Sequence, residues 1–129
     1  MKTNTKRSRP KHLNLLKIHL PITGITSINH RLSGMVLFLA IPVSLYFLQL
    51  SIINEENFNQ VSEYFSNPWV KIALIPLVWS FVHHLFAGIR FLMIDQNIGV
   101  SLSAARKTAW VSVVAAIVVT VIIAIGWLI

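Results

Sequence analysis

The chain has 129 residues and no cysteine, so it can form no disulfide, thiolate metal site or cysteine-ligated iron–sulfur cluster within itself. It is also short of charge, because 12% of its residues are charged against roughly 25% in soluble domains. The spacings typical of hydrolases and nucleotide-binding loops, such as HExxH, GxGxxG or paired carboxylates, do not occur. The sequence therefore gives no support to a soluble hydrolase.

Hydrophobic residues make up 55% of the chain and are gathered into three uncharged runs. Residues 34–53, 72–89 and 108–129 lack Asp, Glu, Lys and Arg over 20, 18 and 22 positions. A helix needs about 20 such residues to cross a bilayer. We therefore predict an all-α membrane protein with three transmembrane helices. A single membrane-anchor domain would cover residues 1–129, with spans at about 24–53, 69–95 and 106–129.

The few charges are unevenly distributed around these runs. Arg106 and Lys107 precede the third run, whereas Glu55, Glu56 and Glu63 lie between the first two. The positive-inside rule then places the N-terminus and the 96–107 loop in the cytoplasm. This topology accounts for the net charge of +7 better than nucleic-acid binding does. Six further basic residues precede the predicted first span: Lys2, Lys6, Arg7, Arg9, Lys11 and Lys17.

Residues 1–20 are basic at first and then alternate leucines with polar residues. They lack the apolar core of a cleavable signal, so the first span is expected to remain as an anchor. We expect this cytoplasmic segment to lie along the membrane surface, with its leucines toward lipid or a partner.

His84 lies inside the uncharged second run, where an imidazole is costly unless its nitrogens are bound. Ser80, His84 and Gly88 share one helix stripe, and Ala87 lies beside it, so a large flat ligand could approach the imidazole there. His83 points about 100° away on the same helix. A lone imidazole in an apolar bundle suits haem iron. A histidine that is hydrogen bonded to another helix remains an equally open interpretation.

The position of His84 also bears on a second axial ligand. If Arg31 and Arg90 mark the cytoplasmic surface, His84 lies about 9 Å deeper and His30 lies at the surface. We therefore expect that one iron could not meet both histidines, and that the second axial histidine comes from another chain. An iron with two axial imidazoles has no open position and would transfer electrons only.

A polar corner precedes the first apolar run. Ser27 and Arg31 are four residues apart, Ser27 and His30 are three apart, and Gly34 follows His30 by four, so all would share one helix face. Such a corner could bind a quinone, with the hydroxyl donating to a carbonyl oxygen and the guanidinium stabilising the charge of reduction. Haem propionates are equally suitable partners for His30 and Arg31. Arg31 snorkelling to lipid phosphate is the remaining alternative.

Two motifs carry a resemblance to a known family. They are SINHRLSG at residues 27–34 and HLFAGIR at residues 84–90, the second followed by Asp95. Together with Arg9-Pro10 and PIT at residues 21–23, they resemble the cytochrome b subunits of succinate dehydrogenase, the larger membrane anchors of complex II. Both motifs occur in order on the predicted helices, and the resemblance covers essentially the whole chain.

The resemblance implies an architecture and partners. The chain would be half of a heterodimeric haem-binding helical bundle, paired with a second small membrane anchor in a bacterial inner membrane. The two anchors would hold the iron–sulfur and flavoprotein subunits on the cytoplasmic face. Electrons from succinate would pass through these subunits to ubiquinone. This chain would be a subunit of the enzyme that does not itself bind succinate.

The resemblance also implies site residues. His84 would be the axial ligand of haem b, which is shared with the second anchor. Ser27 and Arg31 would line the quinone site, and His30 would lie near the haem propionates, a role that Arg31 would share. Arg90 and Asp95 would have a structural or propionate-side role.

Two departures and two alternatives accompany these expectations. Phe91 stands where some relatives have a histidine, which puts a propionate contact on that helix in doubt, and His83 is an additional histidine beside the expected ligand. Related anchors serve fumarate reductases, so a haem-free structural anchor of such a complex is the main alternative. A transporter subunit with a proton path through Arg31 and His84 is a third hypothesis, although the apolar outer halves of the spans argue against it.

Overall fold

The computed structural model describes residues 19–128, with side chains through residue 127. The predicted cytoplasmic segment 1–20 therefore lies outside the described residues, except for His19 and Leu20. All regular structure in the described range is helical, which confirms the all-α class. The helices are α1 (Ile22–Ser51), α2 (Glu55–Ser66), α3 (Pro68–Asp95) and α4 (Leu102–Leu128). Of these, α1, α3 and α4 are long and apolar enough to cross a membrane.

The connection between the first two spans contains a helix that the sequence interpretation missed. Asn54 caps α2, because its side chain accepts a hydrogen bond from the Asn57 backbone N–H at 2.8 Å. The negative charges of Glu55 and Glu56 in the first turn stabilise α2, because they lie at the positive end of the helix dipole. The Phe47 ring of α1 stacks on Tyr64 of α2, at 5.6 Å between ring centroids. The helix α2 is thereby held against the end of α1.

The three long helices pack through small and polar residues rather than large apolar ones. Helix α3 lies in the centre and contacts both α1 and α4. Ala87, Ala109 and Ala116 are fully buried, whereas Phe38 and Trp69 are 72% and 78% exposed. Membrane helices typically pack in this way, because lipid solvates the large side chains and small residues let the backbones approach.

The buried hydroxyl groups satisfy themselves within their own helices. Thr26, Ser80, Ser112 and Thr120 each donate to a carbonyl one turn earlier, at 2.7–2.9 Å. Such bonds remove the cost of placing a hydroxyl group among apolar atoms. The bundle can therefore bury polar side chains without a partner on another helix.

Candidate functional site

The imidazole of His84 lies against α1 and is bonded through one of its two nitrogens. Its Nδ1 lies 3.0 Å from the backbone oxygen of His30 and 3.2 Å from Oγ of Ser33. The Ser33 hydroxyl itself donates to the same His30 oxygen at 2.9 Å. A carbonyl oxygen can only accept, so these contacts assign the ring proton to Nδ1 and leave the lone pair on Nε2.

The other nitrogen of His84 remains available. No group in residues 19–128 is hydrogen bonded to Nε2, and this atom is not among the buried polar atoms without a partner. The described residues also contain no cluster of three or more His, Cys, Asp or Glu side chains that could hold a bare metal ion. A metal at this position would therefore need most of its ligands from elsewhere, as haem iron has from its porphyrin.

The His30 ring covers the face of the His84 ring. Their centroids are 4.0 Å apart and their planes differ by 9°, and Phe91 contacts His30 edge-on at 5.2 Å. The space over Gly88 is occupied by His30, since a Cβ at Gly88 would lie 3.6 Å from His30 Nε2. His30 thus occupies part of the space in which a flat ligand was expected to approach along this stripe of small residues. At Gly88 the stripe packs against α1.

The predicted difference in depth of about 9 Å between His30 and His84 is wrong, because their ring centroids are only 4.0 Å apart. The error came from using two arginines as surface markers. Arg90 is buried and hydrogen bonded to α4 rather than directed to the surface. Helix α1 begins at Ile22, so His30 lies about 12 Å along it, in the third turn.

The structure places Arg31 at a cleft that is lined by neither Ser27 nor the two stacked rings. Arg31 is exposed and lines an open cleft on the surface of α1, together with Gly34 and Phe38. Ser27 is half-buried one turn earlier and does not line that cleft. Gly34 connects the two regions, since a Cβ there would lie 3.0 Å from Cε1 of His84. The predicted polar corner is thus divided between a surface with Arg31 and a packed face with His30.

His83 occupies a different environment from its neighbour. It is fully buried and stacks on Trp79 at 5.0 Å between centroids, and neither ring nitrogen has a hydrogen-bond partner within residues 19–128. Both nitrogens are enclosed by protein, so an external ligand cannot reach them in this arrangement. Of the two adjacent histidines, only His84 presents an accessible ring nitrogen.

Ser33 is the residue at this site to which the sequence interpretation gave no role. It is 1% exposed and contacts both His30 and His84. A signal was available, because Thr26 and Ser33 are seven residues apart and place two hydroxyl groups on one helix face. That face is the one that packs on α3, and polar residues in apolar helices usually face other helices.

Comparisons with known proteins match almost the whole chain to one family of membrane proteins. Residues 5–124 match the family model described as "Succinate dehydrogenase/Fumarate reductase transmembrane subunit". The succinate dehydrogenase cytochrome b556 subunit of Coxiella burnetii is 38% identical over 103 residues, covering 79% of this chain and 82% of the relative. The proteins of that name from Rickettsia felis and Paracoccus denitrificans are 32% and 27% identical. These alignments cover 92% and 89% of this chain, and 90% and 88% of the relatives. The chain is a multi-pass membrane protein that belongs to the family of succinate dehydrogenase and fumarate reductase transmembrane subunits.

Proposed function

We propose that this chain is the cytochrome b membrane anchor of a succinate dehydrogenase, and that it helps to bind haem b and ubiquinone. Support comes from the family membership and from curated relatives named cytochrome b556 subunits. In such an enzyme the chain would relay electrons from the iron–sulfur subunit to the quinone. It would contribute no succinate-binding residue, because its described part is a membrane bundle with short connections.

The observation that carries the haem proposal is the division of roles between the two nitrogens of His84. Metal-binding histidines usually donate their other ring N–H to a carbonyl or similar group, which fixes the tautomer and ring orientation. His84 has this arrangement through the His30 carbonyl and Ser33. Haem b held there would serve as a one-electron carrier. The residues of α1 fix the ring through Nδ1, and no group in residues 19–128 is hydrogen bonded to Nε2.

A second axial ligand from a partner anchor fits the same geometry. The described part of the chain brings one other histidine ring, that of His30, into contact with His84. Lone pairs that lie in two stacked, nearly parallel ring planes do not converge on one atom, so His30 and His84 would not both bind one iron. We infer that a second small anchor subunit supplies the opposite imidazole, and that haem b is shared between the two chains.

We propose that Ser27 and Arg31 form the quinone-binding part of this chain. The exposed guanidinium of Arg31 borders apolar side chains of α1, including Met35 and Phe38, which would suit a ring with an isoprenoid tail. Arg31 would stabilise negative charge on a quinone oxygen, and Ser27 would donate a hydrogen bond. His30 and Arg31 are also the residues proposed to contact the haem propionates.

The proposed location is the bacterial inner membrane, with the N-terminus in the cytoplasm. The curated relatives are bacterial, and the basic residues cluster before α1 and at the start of α4. The flavoprotein and iron–sulfur subunits would bind on that cytoplasmic side, near the polar end of α1. Lipid and the second anchor would cover the exposed apolar residues of the three long helices.

The test of the proposed haem ligand is His84→Leu in the purified membrane complex. We expect the haem signal in the reduced-minus-oxidised spectrum to be lost or greatly reduced, because the imidazole that would bind the iron is gone. The matched control is His83→Leu, which removes the adjacent imidazole but should leave the haem signal unchanged.

Two results would contradict this assignment. A normal spectrum in the His84 variant, with loss in the His83 variant, would exchange the roles of the two residues. Absence of haem absorbance from the wild-type complex would favour the haem-free structural anchor.

A further inference from the structure

Arg90 is a buried cation whose charge has no counter-ion in the described residues. It is 6% exposed, and its Nε and Nη2 donate at 3.2 Å to Oγ1 of Thr108 and the backbone oxygen of Ala105. Its third nitrogen, Nη1, is buried and has no hydrogen-bond partner in the part of the chain that the structure describes. An unsatisfied buried donor costs about 1–3 kcal/mol, and more when it is charged. Both partners that Arg90 does have are neutral oxygens.

Arg90 lines a cleft between the C-terminal part of α3 and the N-terminal half of α4. The cleft has a volume of about 380 Å³, within the ~300–1,000 Å³ of typical ligand pockets. Lys107 lines the same cleft, and no Asp or Glu does. The remaining wall is largely apolar and includes Phe86, Met93 and Val111. The cleft therefore combines two positive charges at one end with a hydrocarbon surface.

We propose that this cleft binds one anionic phospholipid, whose phosphate pairs with Arg90 and Lys107 while an acyl chain lies on the apolar wall. Basic pockets between membrane helices typically recognise lipid headgroups in this way. The guanidinium would turn Nη1 toward the phosphate, which gives the unpartnered nitrogen an acceptor. The cleft reaches Ile98 in the short connection between α3 and α4, and the positive-inside rule places this connection at the cytoplasmic surface, where lipid headgroups would be available.

Other anions fit this cleft less well. A free phosphate would match the two cations but would leave the apolar wall uncovered. A propionate of haem on His84 would be on the wrong side, because Arg90 follows His84 by six residues, about 120° around the helix. His84 faces α1, whereas Arg90 faces α4. The site is therefore separate from the proposed haem and quinone region, and it does not depend on either assignment.

The test is native mass spectrometry of the intact membrane complex after exchange into vesicles of phosphatidylcholine with or without phosphatidylglycerol. We expect one phosphatidylglycerol to be retained by the wild-type complex. Lys107 is exposed, so Lys107→Gln should fold normally and should weaken retention about fivefold. Arg90→Lys, which keeps the charge but loses the planar fork, should also weaken retention.

Arg106→Gln is the matched control, because it removes the same charge one residue away from a side chain that does not line the cleft. Retention should stay within about twofold of wild type in this variant. Equal loss in the Lys107 and Arg106 variants would show general electrostatic attraction and would overturn the proposal. Retention of phosphatidylcholine as strongly as phosphatidylglycerol, or displacement of the lipid by millimolar inorganic phosphate, would overturn it as well.

Discussion

The two ring nitrogens of His84 differ in their contacts, because residues of α1 form hydrogen bonds with only one of them. The His30 carbonyl and the Ser33 hydroxyl both face Nδ1, so the proton stays on that side of the ring. A hydrogen bond from Nδ1–H makes the opposite nitrogen a stronger electron donor. In the proposed haem site, such donation would stabilise the oxidised iron more than the reduced iron.

Ser33→Ala tests this arrangement at a single atom. Removing one of the two acceptors should raise the haem midpoint potential by roughly 20–60 mV. This range follows because a hydrogen bond contributes about 0.5–1.5 kcal/mol, and a tenfold change in a one-electron equilibrium corresponds to about 59 mV. The haem should be retained, because the His30 carbonyl remains as an acceptor. The measurement is a potentiometric titration of the purified complex, followed by its visible absorbance.

Ser80→Ala is the control for this substitution. Ser80 is as buried as Ser33, but its hydroxyl donates to Pro76 on its own helix and is hydrogen bonded to neither histidine ring. Its replacement should leave the potential unchanged. A shift of the same size in both variants would mean that the effect comes from general loosening of the bundle.

The sequence was informative about which residues matter here and less so about how they meet. An imidazole inside an uncharged run is unusual enough to identify His84 as a candidate, and the motif around His30 identified the second ring. Their stacking could not be predicted, because it depends on how far α1 is shifted along α3. Periodicity places a residue on a helix face but does not fix the register between two helices.

At the scale of helices, the approach of α1 to α3 depends on a glycine at each side of the stacked rings. A Cβ at Gly34 would lie 3.0 Å from His84 Cε1, which is tighter than ordinary contacts. A Cβ at Gly88 would lie 3.6 Å from His30 Nε2, which is normal van der Waals distance. The two positions look alike in the sequence, yet only Gly34 lacks space for an added methyl group.

Gly34→Ala should therefore displace the His84 ring or push the helices apart. The expected cost of overpacking is about 1–3 kcal/mol, which exceeds the gain of up to ~1 kcal/mol from alanine in a helix. The thermal midpoint for loss of the haem signal should fall in this variant. In Gly88→Ala the same gain in helix propensity meets little strain, so its midpoint should be unchanged or slightly higher. A lower midpoint in the Gly88 variant alone would contradict the register of α1 against α3.

Long apolar runs were sufficient to predict α1, α3 and α4, because lipid requires each span to satisfy its backbone hydrogen bonds as a helix. The same signal missed α2, which has 12 residues and is polar along one side. Its helical form depends on the Asn54 cap and on packing against Phe47. The cap was visible in the sequence, but the aromatic contact with the end of α1 was not.

At the scale of the whole molecule, the bundle exposes an apolar surface that lipid or other subunits must cover. Its small and polar residues are inside the bundle, and its large apolar residues face outward. Lipid can cover most of that surface. Arg31, however, is exposed beside apolar side chains, and contact between its charge and lipid tails would be energetically unfavourable. Arg31 is therefore expected to act in the assembled complex, where its proposed neighbours are a quinone and other subunits.

Arg31→Ala should uncouple the two halves of the enzyme. We expect succinate-to-ubiquinone activity of the purified complex to fall at least about tenfold, because the cation proposed to stabilise charge on the quinone oxygen is lost. Reduction of an artificial dye by the soluble subunits should be largely kept, since the chain's part in that reaction is only to hold them. Arg106→Ala, which removes another exposed arginine, should leave both rates near wild type.

If both activities fell together in the Arg31 variant, the side chain would be needed for assembly rather than for quinone chemistry. A normal quinone rate would place the quinone away from this face of α1, because no other described cation lines the cleft beside Gly34.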